Sequence, residues 1–535
     1  MHHIALSGDL LTVDQVSRLV QDETAQVVFE ECVYPNSSRA RAFLDEHQEK
    51  TVVYGLNTGF GPMASHLVSK EQLTDLQRNL IRSHAVGMGQ PVPTQYVLAA
   101  MLVRLNTLCM GRSGVSVELL EHLRLAINHR IIPVVPEHGA VGTSGDLVQL
   151  AHIALGLIGD GQVWFQGERI EAKEAWTRIG ISPYVLKPKE GLSLINGTSF
   201  MSGIAALMCC DVGHLLSLAA STGAWALELV EGFDDGIAER FHSFRPHLGQ
   251  VAVARALRNL TRGSRLMKQR SDFQSRHRIT NDTYLIDEGV QEVYSLRCIP
   301  QILGPMVDSL MQSWRIIDTE INSTTDNPVV DVQQRQFWHG GHFHGEYIAM
   351  VADQLRANLA KLMVLTERRI NFFLNRKVNG FLPPFLNMRT LGLTLGLQGL
   401  QFVATSTAAL GQTLAYPHRV HSISTNADNQ DVVSMGTDTA LMTMRVVEQV
   451  YIVLAIELVT LAQATDVMQV HDHLSPAAEQ LYQAVRKTMA PVTEDRVLVD
   501  DLAKVVALAR TERIQLNWRD LSYTDSADDQ QRIGE

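Results

Sequence analysis

Residues 139–154 read GAVGTSGDLVQLAHIA. A Thr143-Ser144-Gly145 triplet sits among glycines, just ahead of an apolar run with helical spacing. The ordinary reading is a helix start, with Ser144 or Asp146 as the N-cap of a helix opening near Leu147. A second reading treats the triplet as a reagent. In a squeezed backbone the Gly145 amide nitrogen can attack the Thr143 carbonyl carbon. Loss of two waters, one from Ser144, then leaves a ring with an exocyclic methylidene, a strong electrophile. Only Gly lets the attacking nitrogen approach so closely. Only Ser or Cys can lose its side-chain heteroatom to give the methylidene. The flanking Gly139 and Gly142 suit a strained turn.

The rest of the chain bounds what such a loop can serve. The 535 residues allow two to four domains or one large fold. Hydrophobic residues make up 45%, ample for a core, and charged residues only 19%, which suggests surface buried between subunits. The net charge of −11 disfavours a nucleic-acid partner. The cysteines (Cys32, Cys109, Cys209, Cys210 and Cys298) are odd in number, irregularly spaced and without C-x-x-C. They read as reduced thiols of a cytosolic, cytoplasmic protein. The N-terminus lacks the basic and apolar regions of a signal peptide. Apolar stretches around 199–227 and 446–464 are interrupted by Asp211, His214, Glu448 and Glu457, so they read as core helices rather than membrane spans.

Helical periodicity dominates, over 93–110, 115–130, 345–376, 391–412 and 435–465, and Thr12 and Gln15 stand at capping-box spacing. The fold class is mainly α. Strands are few: KTVVYG (50–55) reads as one, and 162–170 and 328–339 as small hairpins. The polar stretch 258–282 reads as a loop or lid.

Other stretches carry candidate chemistry. In VYGLNTGFGPMA (53–64), Gly59, Gly61 and Ala64 have the spacing of a weak dinucleotide fingerprint. Pro62 and the lack of a βαβ unit with an acidic ribose ligand argue against it. Tyr54 could act as a base if cations or dipoles lowered its pKa from about 10. Asn196, in LINGTS, could orient a substrate carboxylate or amine. Tyr294 and Arg297, three apart, would share a helix face, with Arg297 suited to a bidentate carboxylate clamp. The dense run His339, His342, His344 and Glu346, with VHDH (470–473), makes a metal site the main rival. No zinc-protease spacing supports it.

Taken in order, YGLNTGFG, RSHAVG, GTSGDL, LINGTS, YSLRCIPQ, TDNP, HFHG and NQDVVSMG resemble the ammonia-lyases and aminomutases that carry a methylidene-imidazolone (MIO) group. The resemblance runs from about Val52 to about Ala464. It implies an ammonia-lyase-like fold with a central long-helix bundle. An N-terminal domain (1–205) would carry the MIO loop, and a helical domain (206–535) would supply the tetramer core and C-terminal helices. It implies a homotetramer whose active sites are each assembled from three chains, acting on a small amino acid, with no metal, nucleotide, nucleic acid or membrane. MIO would form autocatalytically from Thr143, Ser144 and Gly145 and make the substrate nitrogen a good leaving group. Tyr54 would take the β-proton. Arg297, helped by Asn196 and Tyr294, would hold the carboxylate. Gly61, His84, Asn327, Phe343, Asn429 and Gln430 would line the substrate.

Two positions speak to the substrate. Ser83-His84 resembles the histidine and tyrosine branches rather than the phenylalanine branch, and a histidine can hydrogen-bond a phenol. Histidine ammonia-lyases usually carry Glu where Gln430 stands, and an acid suits an imidazole better than an amide does. L-Tyrosine, converted to p-coumarate, satisfies both. Thr143 replaces the usual Ala of the triplet, and His342 replaces a frequent Asn. Both variations also occur in aminomutases, which keeps a tyrosine or phenylalanine 2,3-aminomutase as an alternative, with histidine ammonia-lyase behind it.

Overall fold

The computed structural model describes residues 2–277, 279, 283–286, 288–512 and 516–518. Helices dominate, and the longest are Ser199–Leu229, Ile299–Ile321, Glu346–Leu374 and Gly436–Met468. Ser199–Leu229 and Gly436–Met468 are long and apolar enough to cross a membrane, yet their most apolar stretches are 78% and 83% buried inside the protein. Such helices need a partner on every side, which a protein core supplies.

Helix ends follow local chemistry. Thr12 and Gln15 form the expected capping box at Val13–Gln21. The helices Thr94–Cys109 and Val117–Asn128 match their periodicity, and Ser116 caps the second. The stretch 391–412 is helical only from Gln398 onward. Before it, Asn387 accepts from Arg389 N and from the Thr394 hydroxyl, and these side-chain bonds hold a turn against the apolar pattern.

The strands are short. Gln162–Phe165 pairs with Glu168–Glu171, and Val329–Asp331 with Gln336–Trp338, both antiparallel and both expected. His3–Leu6 pairs in parallel with Gln26–Phe29, His3 opposite Gln26, which the sequence had not suggested. KTVVYG is not a strand but the entrance to a turn. Asn57 Oδ1 accepts from Val53 N, and its Nδ2 donates to the Gln48 and Thr51 carbonyls. One amide thereby overrides a β-branched run. In 258–282 a short helix, Arg270–Arg276, interrupts the expected loop; Arg278 and Thr280–Asp282 lie outside the described residues.

The backbone gathers into two compact units. The first comprises Met1–Cys210, Ser313–Gln354 and Pro417–Met444. The second comprises Asp211–Gln312, Leu355–Tyr416 and Arg445–Glu535. Within the second, a fully buried Arg369–Glu457 ion pair braces Glu346–Leu374 against Gly436–Met468, and Trp225 Nε1 donates to Thr465.

Candidate active site

The triplet lies in a turn that only glycine can build. Gly142 and Gly145 have φ of +74° and +70°, a region closed to most side chains. A Cβ on Gly145 would stand 1.9 Å from the Gly197 carbonyl oxygen. That closeness follows from a two-way backbone clasp: Gly197 N donates to Ser144 O at 3.2 Å, and Asp146 N donates to Gly197 O at 2.9 Å. Thr143 and Gly145 are buried and Ser144 between them is half-buried, so the middle residue alone keeps access to open space. Thr143 Oγ1 is buried without a hydrogen-bond partner among the described residues. No hydrogen bond among them engages Gly145 N or Thr143 O, the two groups a cyclisation would join. This squeezed tripeptide fits the chemistry of an MIO group.

The helix-cap reading needs correction. Asp146 does stand at the N-cap of Leu147–Leu157, but its side chain makes no capping bond there. Instead Oδ2 accepts from Phe200 N and Met201 N at 2.8 and 3.0 Å, capping the helix Ser199–Leu229, and Oδ1 accepts from the Thr437 hydroxyl. Complete burial pushes the Asp146 carboxyl up to about 7, against the pull of those donors. Asp146 is thus a bolt joining three segments behind the triplet. Nothing in the local sequence shows it, because its partners lie far along the chain.

A second clasp comes from residues 425–430. Asn426, Ala427 and Asp428 all adopt positive φ, at 55°, 52° and 60°, and the turn closes through Thr425 and Gln430. Gln430 Nε2 donates to Ser144 Oγ at 3.2 Å while its Oε1 accepts from Thr425. At the other end, the Asn426 amide crowds Gly61, where a Cβ would lie 2.6 Å from Nδ2. Gly61 N in turn donates to Tyr54 Oη at 3.1 Å. Tyr54, Gly61, Asn426, Gln430 and Ser144 therefore form one chain of contacts. The sequence reading missed Asn426. Its only signal was the amide-rich run around Asn429, which is itself exposed.

Asn196, buried next to the Gly197 clasp, donates from Nδ2 to Asp326 Oδ1 and to Asn327 O. Asn327 Oδ1 accepts from Gly340 N, which draws the His339–Gly345 loop to the same wall. His339 Nε2 accepts from Tyr54 N at 3.4 Å, and His344 faces the Val432 carbonyl. Phe343 lies half-buried in that loop, and His342 is exposed. The clustered histidines thus serve different partners. Among the described residues no group of three His, Cys, Asp or Glu side chains is placed to hold a metal.

His84 ends the helix Leu73–His84, and its Nδ1 faces the Leu80 carbonyl at 2.9 Å. Ser83 Oγ also lies 3.1 Å from Nδ1. In the tautomer that donates from Nδ1 to the Leu80 carbonyl, Nε2 of the neutral ring is an acceptor. Tyr294 and Arg297 belong to the second unit. They share the short helix Tyr294–Arg297, as their spacing suggested. The guanidinium lies 4.8 Å from the Tyr294 ring centre and donates to Gln291. Tyr294 is exposed.

Comparison with known proteins places the chain in a family. The chain matches the model of the aromatic amino acid lyases over residues 11–487. It is 36% identical over 516 residues to the histidine ammonia-lyase of Caldanaerobacter subterraneus subsp. tengcongensis, spanning 96% of this chain and 98% of the relative. It is 39% identical over 460 residues to the tyrosine 2,3-aminomutase of Chondromyces crocatus, spanning 85% and 86%. The crystal structure of the tyrosine aminomutase from Streptomyces globisporus superposes with a TM-score of 0.91 at 35% identity, covering 95% of this chain and 96% of that one. The chain belongs to the aromatic amino acid lyase family. Its fold is the mainly α ammonia-lyase and aminomutase fold expected from the motifs, and its class is that of enzymes acting on an amino acid substrate.

Proposed function

We propose that this protein removes ammonia non-oxidatively from L-tyrosine to give p-coumarate, using MIO formed from Thr143, Ser144 and Gly145. The observation that carries the substrate reading is the Gln430–Ser144 hydrogen bond, which sets a neutral amide beside the reacting position. An acid there would favour an imidazole. An amide leaves a phenol ring unopposed, and His84, with Nε2 an acceptor, suits a phenol O–H.

When formed, the group supplies an electrophilic carbon at position 144 that turns the substrate nitrogen into a leaving group. The chain does the rest. Tyr54 Oη is the base for the β-proton. The Gly61 amide occupies one side of that oxygen and fixes its direction. Arg297 holds the carboxylate through paired N–H donors, with Tyr294 beside it. These two belong to the second unit, and the shared sites of a homotetramer, with residues from three chains, would deliver them. The reaction needs no metal and no nucleotide, and the setting is cytoplasmic.

A specific observation favours a second reading. The relatives from Chondromyces crocatus and Streptomyces globisporus bear the name tyrosine aminomutase. A mutase would use the same residues but retain the unsaturated acid until ammonia returns to the β-carbon. Incubation with L-tyrosine, L-phenylalanine and L-histidine separately, read by ultraviolet absorbance and chiral chromatography, tests both. Coumarate as the dominant product supports the lyase. Accumulating β-tyrosine makes the enzyme a mutase, and urocanate alone overturns the substrate assignment.

A further inference from the structure

Behind Asn196 lies a buried charge cluster that the proposed reaction does not itself use. Lys189 and Asp326 are both fully buried, and Lys189 Nζ donates to Asp326 Oδ2 at 2.9 Å. The ammonium also donates to Ser113 O at 3.1 Å and to Ser193 Oγ at 2.9 Å, so all three of its hydrogens are engaged. Arg104, equally buried, donates to the Asn196 and Ser193 carbonyls. Burial pushes the Asp326 carboxyl up, but the Lys189 ammonium and the Arg104 guanidinium more than offset it and hold the group below its ordinary value. Asp326 is therefore a carboxylate, an acceptor only.

This fixes which way the Asn196 amide faces. An amide has one donating end and one accepting end, which shape alone does not distinguish. Here the Nδ2 end meets Asp326 Oδ1 at 3.2 Å and the Asn327 carbonyl at 3.1 Å, neither of which can donate. Both Nδ2 hydrogens are spent. A reversed amide would set Oδ1 against a carboxylate and a carbonyl, with two repulsive contacts in a dry site. Asp326 is held in place in turn by Asn327 N at 2.7 Å. Among the described residues Asn196 is hydrogen-bonded through Nδ2, its backbone N–H and its carbonyl, and not through Oδ1.

We infer that Asp326, anchored by Lys189, is a positioning residue that presents Asn196 Oδ1 to the substrate as an acceptor, so that Asn196 takes an N–H of the substrate amine and not its carboxylate. An amine or ammonium donates, whereas a carboxylate facing Oδ1 would be repelled. The position suits this task, because Asn196 immediately precedes Gly197, whose backbone is clasped to Ser144 and Asp146. Amine and carboxylate are thereby divided between Asn196 and Arg297. The inference rests on the aromatic amino acid reading of the site but not on which aromatic amino acid is used.

Two half-substrates separate the possibilities by titration calorimetry on the full-length protein. Tyramine carries the amine without the carboxylate; 3-(4-hydroxyphenyl)propanoate carries the carboxylate without the amine. Asn196→Ala, which leaves no charge unpaired, should weaken tyramine about tenfold or more and leave the propanoate unchanged. Asp326→Asn should weaken tyramine in the same direction but by less, since the Asn327 carbonyl still faces Nδ2 while an amide at 326 no longer does so as an obligatory acceptor. The double variant Lys189→Met/Asp326→Asn covers the case in which an unpaired Lys189 prevents folding. Loss of propanoate affinity with tyramine unchanged would overturn the inference, as would equal loss of both or no loss of either. Product formation by the unaltered protein tests the functional reading separately, because it does not depend on the ratio of these two affinities.

Discussion

Two regions with proposed roles on the same substrate are held in very different ways. The wall that carries Ser144 is crossed by backbone clasps at Gly197, by Asp146 reaching Phe200, Met201 and Thr437, and by Gln430. Its residues are buried except Ser144 and Gln430, which are half-buried. The short helix Tyr294–Arg297 has an exposed tyrosine and a guanidinium held by Gln291 and by that tyrosine's ring. The contrast follows from what each is proposed to do. A cyclising turn needs compression from all sides, so its partners come from two distant stretches of sequence, 197–201 and 430–437. A carboxylate clamp needs only a charged fork with room to close on its ligand.

The sharpest way to break this contrast is at the braced wall. Ser144→Ala removes the oxygen whose loss would create the electrophile. Activity should fall by about three orders of magnitude or more, and intact-protein mass should show an uncyclised chain. Full activity in this variant would end the internal-electrophile reading. Tyr54→Phe comes next. Its hydroxyl receives one bond, from Gly61 N, so the fold should survive while kcat drops by about a hundredfold to ten-thousandfold. An unchanged rate would remove Tyr54 from the role of base. His84→Phe is milder, because it touches selectivity rather than the reacting atoms. The ratio of kcat/KM for phenylalanine over tyrosine should rise by about tenfold to two-hundredfold. A fixed ratio would mean that Nε2 of His84 does not meet the phenol.

The same contrast explains what could be read from the sequence. Elements set by near neighbours were legible. The capping box at Thr12, the hairpins at 162–171 and 329–338, and the long helices all follow from residues within a few positions of one another. The glycine turn at 142–145 was legible too, since its conformation requires Gly whatever stands opposite. What stood opposite was not legible. Asp146 looked like the cap of the next helix because its true partners are 54 and 291 residues away. The Gln430–Ser144 contact spans 286 residues. Asn426 and Asp326 passed unremarked because their value lies in Gly61 and in Asn196. KTVVYG misled for the opposite reason, a single nearby Asn57 outweighing a strand-like run.

Asp146 offers the finest probe of how the wall is held, through pH. Its carboxyl titrates near 7 in the folded protein, against an ordinary value of 3.8. Between these values the folded chain keeps a proton that the unfolded chain has released. Folding then binds protons, so this residue's contribution to stability falls as pH rises from about 4 to about 7 and is level beyond that window. The slope from one such group is at most about 1.4 kcal/mol per pH unit, and the donors at Phe200, Met201 and Thr437 act by narrowing the pH window, since they already hold the folded value down to about 7. Asp146→Asn cannot titrate. Its amide oxygen can still accept from Phe200 N and Met201 N, and its nitrogen can donate to Thr437 Oγ1. The variant should therefore fold, and its stability relative to the unaltered protein should improve steadily from pH 4 to pH 7. Denaturant midpoints of the two proteins across that range check this. A constant gap at all pH values would show that Asp146 is ionised throughout, and the bolt behind Ser144 would then be a fixed charge rather than a shared proton.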